Sequence, residues 1–275
     1  RGVGRHEPGN LKMSQAKTLE ISQRGKGVAQ ITMSRPEVFN AFDEVMIGEM
    51  DHAFNRLTND DDVRVIVLAG AGKHFSAGAD LNWMQRASNE SREWNLADAR
   101  RFAAMLARID ACPKPTLARI QGAALGGGVG LACTCDIAIA SADASFTISE
   151  ARFGILPAAI SPYLINAVGK RHARRLAMTM SRIHADEALA LGLVHQVAAI
   201  DDLDNEVDAI VLELLEGGPN AQREIKALFA QLQVGPVTDE VSELTAQTIS
   251  RVRGTEEARE GIAAFLQKRP PGWVR

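Results

Sequence analysis

Cysteine is scarce: the chain has three, Cys112, Cys133 and Cys135, too few for a disulfide framework, and the last pair is one residue apart in a stretch that reads as helix. Long apolar runs are missing as well. None approaches the roughly 20 residues needed to span a bilayer, so no membrane segment is expected. Arg1 to Asn10 has no apolar stretch of the signal-peptide kind, which gives a cytoplasmic expectation, and residues 1–15 are expected to be a disordered terminus or a tag. Charge of one sign is also lacking. A formal net charge of −3 and the absence of any basic, aromatic-interleaved stripe give no reason to expect nucleic acid as a partner. The six histidines show no i, i+4 pairing, Cys133 and Cys135 lack further ligands at metal-site spacing, and no Gly-x-Ser-x-Gly elbow occurs. Neither a metal nor a covalent nucleophile is therefore expected.

What is present is apolar residue in quantity, 46% of the 275, enough for a large core. Thr18 to Ser22 and Gly27 to Met33 read as adjacent strands around a Gly-containing turn. Val45, Met46, Glu49, Met50, Ala53, Phe54 and Leu57 follow helical spacing, with Asp43 as a cap. Strands are expected at Arg64 to Leu68, Thr116 to Ile120, Asp136 to Ala140 and Ser145 to Ile148. Helices are expected from Asn95 to Ile109 and from Val129 to Thr134, with Ser161 to Gln196 mostly helical. This alternation predicts an α/β core over residues 16–200. Beyond Asp201 the pattern is helical throughout, broken at Gly217-Gly218-Pro219 and Gly235-Pro236, so 201–275 is expected to be a helical region packed on the core or on another subunit.

Two glycine-containing loops stand out, Phe75-Ser76-Ala77-Gly78-Ala79-Asp80-Leu81 and Gly122-Ala123-Ala124-Leu125-Gly126-Gly127-Gly128. Each follows a β-branched apolar run. A plain tight turn is the lesser alternative for either loop taken alone. Gly70-Ala71-Gly72-Lys73 invites a nucleotide reading, but Phe75 stands where a dinucleotide fingerprint needs glycine, and the second loop lacks a P-loop lysine. Jointly, small residues uncover backbone amides, and Gly126 to Gly128 sits where a helix begins and adds its dipole. The pair reads as an oxyanion hole, with the Ala77 and Gly127 amides aimed at one thioester carbonyl. Glu150 follows a strand and enters the apolar stretch Phe153 to Pro157, where burial raises a carboxyl pKa toward that of a proton shuttle; a helix cap or surface glutamate is its plainer reading. Asp80 and Asp136 read as turn caps or amide partners rather than catalytic groups, and His195 as a satisfied structural side chain.

From about residue 17 onward these residues resemble the enoyl-CoA hydratase/isomerase (crotonase) family. The match runs through Ser34-Arg35-Pro36 with Asn40-Ala41, both loops, Cys135-Asp136 and Ala190-Leu191-Gly192-Leu193-Val194. The resemblance implies a spiral of ββα units with a helical C-terminal trimerisation region, assembled as a homotrimer or as a hexamer of two trimers. It implies an acyl-CoA thioester substrate with no further cofactor. Ala77 and Gly127 would bind the thioester oxygen, backbone near Ala41, Ala79, Asp80 and Leu81 would border the CoA, and Phe265 and Lys268 would reach CoA in a neighbouring subunit. Typical enoyl-CoA hydratases carry two glutamates about the attacking water; this chain matches the second with Glu150 and has Gly130 at the first. Gly130 is thus expected to open space at the substrate.

Finer likeness to bacterial methylglutaconyl-CoA and isohexenylglutaconyl-CoA hydratases lies in Ala79 to Met84, Asn95 to Arg100 and Ala158 to Tyr163. It implies hydration of a branched 2-enoyl-CoA that bears a carboxylate. Arg86, Arg100 and Arg101 are the cations available to that carboxylate, and Ser161 or Tyr163 are further candidates to assist. An enoyl-CoA isomerase and a non-catalytic acyl-CoA-binding protein are the alternatives.

Overall fold

The computed structural model describes residues 17–274; the terminus expected at 1–15 lies outside them. The chain opens on a hairpin, β1 (Leu19–Gln23) antiparallel to β2 (Val28–Met33), followed by α1 (Glu44–Thr58). Asp43 caps α1 by accepting from the Val45 and Met46 amides, and the expected stripe from Met46 to Leu57 is buried. The next turns of chain are β3 (Val65–Gly70), α2 (Leu81–Ala87) and α3 (Arg92–Asp110), then β4 (Thr116–Ile120), β5 (Ala123–Leu125) and α4 (Gly127–Thr134). After these come β6 (Ile137–Ser141), β7 (Ser145–Thr147), a 3-10 turn over Glu150–Phe153, and α5 (Ser161–Thr179). The last strands, β8 (Ile183–His184) and β9 (Gln196–Ala198), flank α6 (Ala185–Leu191). Four helices close the chain: α7 (Leu203–Glu216), α8 (Pro219–Phe229), α9 (Asp239–Arg253) and α10 (Glu256–Leu266).

After the opening hairpin, the pairs β4/β5, β6/β7 and β9/β8 each place one strand in the larger sheet and one in the smaller, so that the path spirals between them. The larger sheet has the order β1-β2-β3-β4-β6-β9, parallel beyond the first hairpin, and the smaller has β5-β7-β8. A bridge between Ser76 and Ala124 extends the smaller sheet to the first glycine loop. Alternation along β3 sends Ile66 and Leu68 into the main core and Val65 and Val67 into a second cluster. In that cluster Leu203, Val207 and Val211 of α7 cover the sheet's other face. Both faces of a parallel sheet must be covered, and each such Val or Leu contributes about 1.5–3 kcal/mol on burial. Residues 201–275 thus do two jobs, since α7 completes the sheet packing whereas α8, α9 and α10 pack on one another.

The stretch Ser161 to Gln196 is less helical than its pattern suggests: Gly169 breaks α5 at φ 73°, and β8 and the first residue of β9 fall within it. Asp136 behaves as an amide partner, accepting from the Thr116 amide and hydroxyl and pairing with Lys226 at 2.7 Å. His195 is satisfied as expected, its Nδ1 accepting from the Ala138 amide. All three cysteines are free, and burial pushes the Cys133 thiol up to about 12. Among the described residues no helix is long and apolar enough to cross a membrane.

Candidate active site

The two glycine loops meet edge to edge. The Leu125 amide donates to Ser76 O at 2.9 Å and the Ser76 amide to Ala123 O at 3.2 Å. A Cβ on Gly78, at φ 81°, would stand 2.5 Å from Leu125 O and 3.4 Å from Gly127 N. Only glycine allows this approach. The Gly126 amide is tied to Thr147 O at 2.8 Å, which fixes the start of α4 against the end of β7.

Backbone hydrogen bonds decide which amides are free. Ala77 N–H donates to Phe39 O at 2.8 Å, so the structure overturns Ala77 as a thioester donor: its proton is already committed. Two residues on, Phe42 bridges the loop by donating to Gly78 O and accepting from Asp80 N–H. That pairing turns the intervening Ala79 N–H to the opposite side of the strand. Among the described residues Ala79 N–H donates to no acceptor, and Gly127 N–H, in the first turn of α4, has no intrahelical partner. Ala79 and Gly127 thus offer one free amide from each loop.

Glu150 completes the constellation. A Cβ on Gly126 would lie 2.9 Å from its Oε1 and 3.5 Å from its Oε2, so the carboxylate rests against the loop that carries the Gly127 amide. Its Oε2 is buried and unpartnered among the described residues. Burial pushes the Glu150 carboxyl above its ordinary range, partly offset by hydrogen bonds from the Glu150 and Ser149 amides. A carboxyl with a raised pKa and one unpartnered oxygen can take up and return a proton.

Gly130 does not open space. A Cβ there would sit 2.2 Å from Ile160 Cγ2, and Ile160 is buried. The expectation that position 130 lines the substrate is corrected: the methyl of Ile160 takes the room, and Glu150 has no second carboxylate from that position. Over Gly127 lies an aromatic wall instead, where Phe42 Cζ and Phe102 Cζ would stand 2.3 and 3.3 Å from a Cβ, the two rings stacked at 5.2 Å. Phe42 carries no signal in the sequence, since it reads there as the start of a helix.

The other expected residues divide. Asp80 is a buried cap on α2, accepting from the Asn82 and Trp83 amides and paired with Arg35 at 2.9 Å, so its side chain is not available to a ligand. Ala41 is buried, its carbonyl accepting from Arg35, while Leu81 is exposed at the start of α2. Phe265 and Lys268 face solvent at the end of α10, which packs on α8 and α9, so one chain does not bring them to Glu150. Arg86 is held by Glu44 and Arg101 by Asp98, and Arg100 lies on the exposed face of α3. The Ser161 hydroxyl donates to Pro157 O. Burial and the neighbouring Asp110 carboxylate push Tyr163 up.

A family model described as enoyl-CoA hydratase/isomerase matches residues 23–275. A putative enoyl-CoA hydratase from Thermus thermophilus is 35% identical over 244 residues, 89% of this chain and 96% of its own. The crystal structure of an enoyl-CoA hydratase from Shewanella pealeana is similar with a TM-score of 0.91 at 41% identity, over 94% of this chain and 97% of that one. A putative enoyl-CoA hydratase/isomerase (crotonase) from Legionella pneumophila is similar at a TM-score of 0.88 and 40% identity, over 93% and 98% of the two chains.

Proposed function

The chain belongs to the enoyl-CoA hydratase/isomerase family, and from that premise we propose that it adds water across the double bond of a 2-enoyl-CoA thioester. The observation that carries this reading is the buried, unpartnered Oε2 of Glu150 against the loop of the free Gly127 amide, with the free Ala79 amide on the adjoining loop. The amides accept no role in the resting fold and are aimed at an oxygen that gains negative charge as the enolate forms; removing such a donor typically costs on the order of 10²–10³ in rate. Glu150 takes a proton from water as the water oxygen bonds to the β carbon. The C=C electrons move to the α carbon and carbonyl, and Glu150 then returns the proton to the α carbon. The sum is one water added, with one carboxylate serving both steps.

The substrate proposed is a branched chain of the methylglutaconyl type, supported by the segments Ala79 to Met84, Asn95 to Arg100 and Ala158 to Tyr163. A homotrimer or hexamer is proposed for the assembly, in which Phe265 and Lys268 border the CoA of a neighbour. Double-bond isomerisation is the second reading. It draws on Ile160 covering Gly130, because a lone carboxylate also suffices to carry a proton from the α to the γ carbon.

The test is mass spectrometry of 3-methylglutaconyl-CoA incubated with the protein, with NMR detection of any double-bond shift and Glu150→Gln as control. Gain of one water, lost in the variant and rising with pH as the raised Glu150 carboxyl ionises, is the expected result. A moved double bond without added water establishes the isomerase. Full turnover in Glu150→Gln overturns the role of the carboxylate.

A further inference from the structure

Trp83 is 8% exposed, and its indole Nε1 is buried with no acceptor among the described residues. Buried Trp N–H groups ordinarily find a partner, and an apolar side chain would fill the same volume without leaving a donor unpaired. The position of this orphan is specific. Trp83 lies in the first turn of α2, directly beyond the Asp80 cap and four residues past the free Ala79 amide. Its ring centre is 6.2 Å from that of Phe42, tilted by 56°, and Phe42 is the ring that lies over Gly127. The indole therefore stands one aromatic ring beyond the free Gly127 amide. The nearby cations Arg86 and Arg101 are already paired with Glu44 and Asp98.

We propose that the Trp83 indole N–H is a specificity determinant that donates to an oxygen carried on the acyl chain beyond the double bond. This rests on the acyl-thioester reading of the site. The shared chemistry is an accepting oxygen: a ketone is satisfied by the single neutral donor, and a carboxylate by that donor on one oxygen with solvent on the other. An all-carbon chain leaves the donor as it is found in the free protein, unpaired.

Calorimetric titration of saturated thioesters, which cannot turn over, tests the idea. Glutaryl-CoA supplies the carboxylate, 5-oxohexanoyl-CoA the ketone and hexanoyl-CoA the apolar reference, each measured on the wild-type protein and on Trp83→Phe. The wild type is expected to prefer at least one oxygen-bearing chain over hexanoyl-CoA. Trp83→Phe is expected to lose that preference by about tenfold or more while binding hexanoyl-CoA as before. Which of the two oxygen-bearing chains is preferred identifies the acceptor. A preference that survives in Trp83→Phe, or no preference in the wild type, overturns the proposal. Should the phenylalanine variant not fold, replacing the indole by a benzothienyl group at position 83 removes the N–H at constant ring size, with the same outcomes. Hydration of 3-methylglutaconyl-CoA, assayed in parallel, reports separately on the enzymatic reading: its absence in the wild type counts against that reading, whereas its presence with a preference that survives in Trp83→Phe sinks only the role of Trp83.

Discussion

At position 130 a Cβ would stand 2.2 Å from Ile160 Cγ2 and 2.8 Å from its Cβ. Gly130→Ala is therefore expected to lower stability by about 1–3 kcal/mol, the usual cost of inserting a carbon into a filled core. When it is combined with Ile160→Ala, the two losses are expected to sum to less than their separate values in thermal melts, because the carbon added at 130 fills part of the void left at 160. If Gly130→Ala melts like the wild type, Ile160 is not fixed over the glycine. The same contact leaves Glu150 without a second carboxylate from that position. Its raised pKa comes first from burial, and no residue at 130 can add charge without displacing a buried isoleucine.

Trp83 is placed by α2, which starts two residues after Ala79, and Asp80 between them anchors the helix. Burial pushes the Asp80 carboxyl up, yet the Arg35 guanidinium and the Trp83 and Asn82 amides hold it below the ordinary carboxylate range. Asp80→Ala removes the helix cap and the ion pair together. A loss of about 1–3 kcal/mol is expected, with kcat falling more than KM because the neighbouring Ala79 amide loses its support; unchanged kcat in a folded variant would detach α2 from the site. The cap role of Asp80 was legible from its residue type. Which amide of the loop is free was not, because it depends on Phe39 O and on the Phe42 bridge, contributed by a segment more than thirty residues earlier. Helices such as α1 and α3 were legible because their stripes repeat over several turns. By contrast β5, β8 and β9 have only two or three residues each, too short for any period to register. The Gly130–Ile160 contact likewise joins residues thirty positions apart, and a glycine on its own says only that a side chain is missing.

For the whole molecule, α7 is spent on the sheet while α8 to α10 expose Phe229 at 67% and Phe265 at 83%. Apolar groups displayed at this density are expected to be covered by further copies of the chain. Light scattering should give a mass that is a multiple of three protomers, and Phe229→Glu on α8 should reduce it; a monomeric wild type would contradict the assembly. The contact of Ile160 with Gly130 also bears on descent. A lineage moving between this site and one with two carboxylates has to change both positions. A glutamate at 130 arriving first collides with the isoleucine, and a small residue at 160 arriving first leaves a void worth about 2–5 kcal/mol. Neither order is neutral for stability, so packing at 160 as well as chemistry at 130 sets the cost of passing between the two site types.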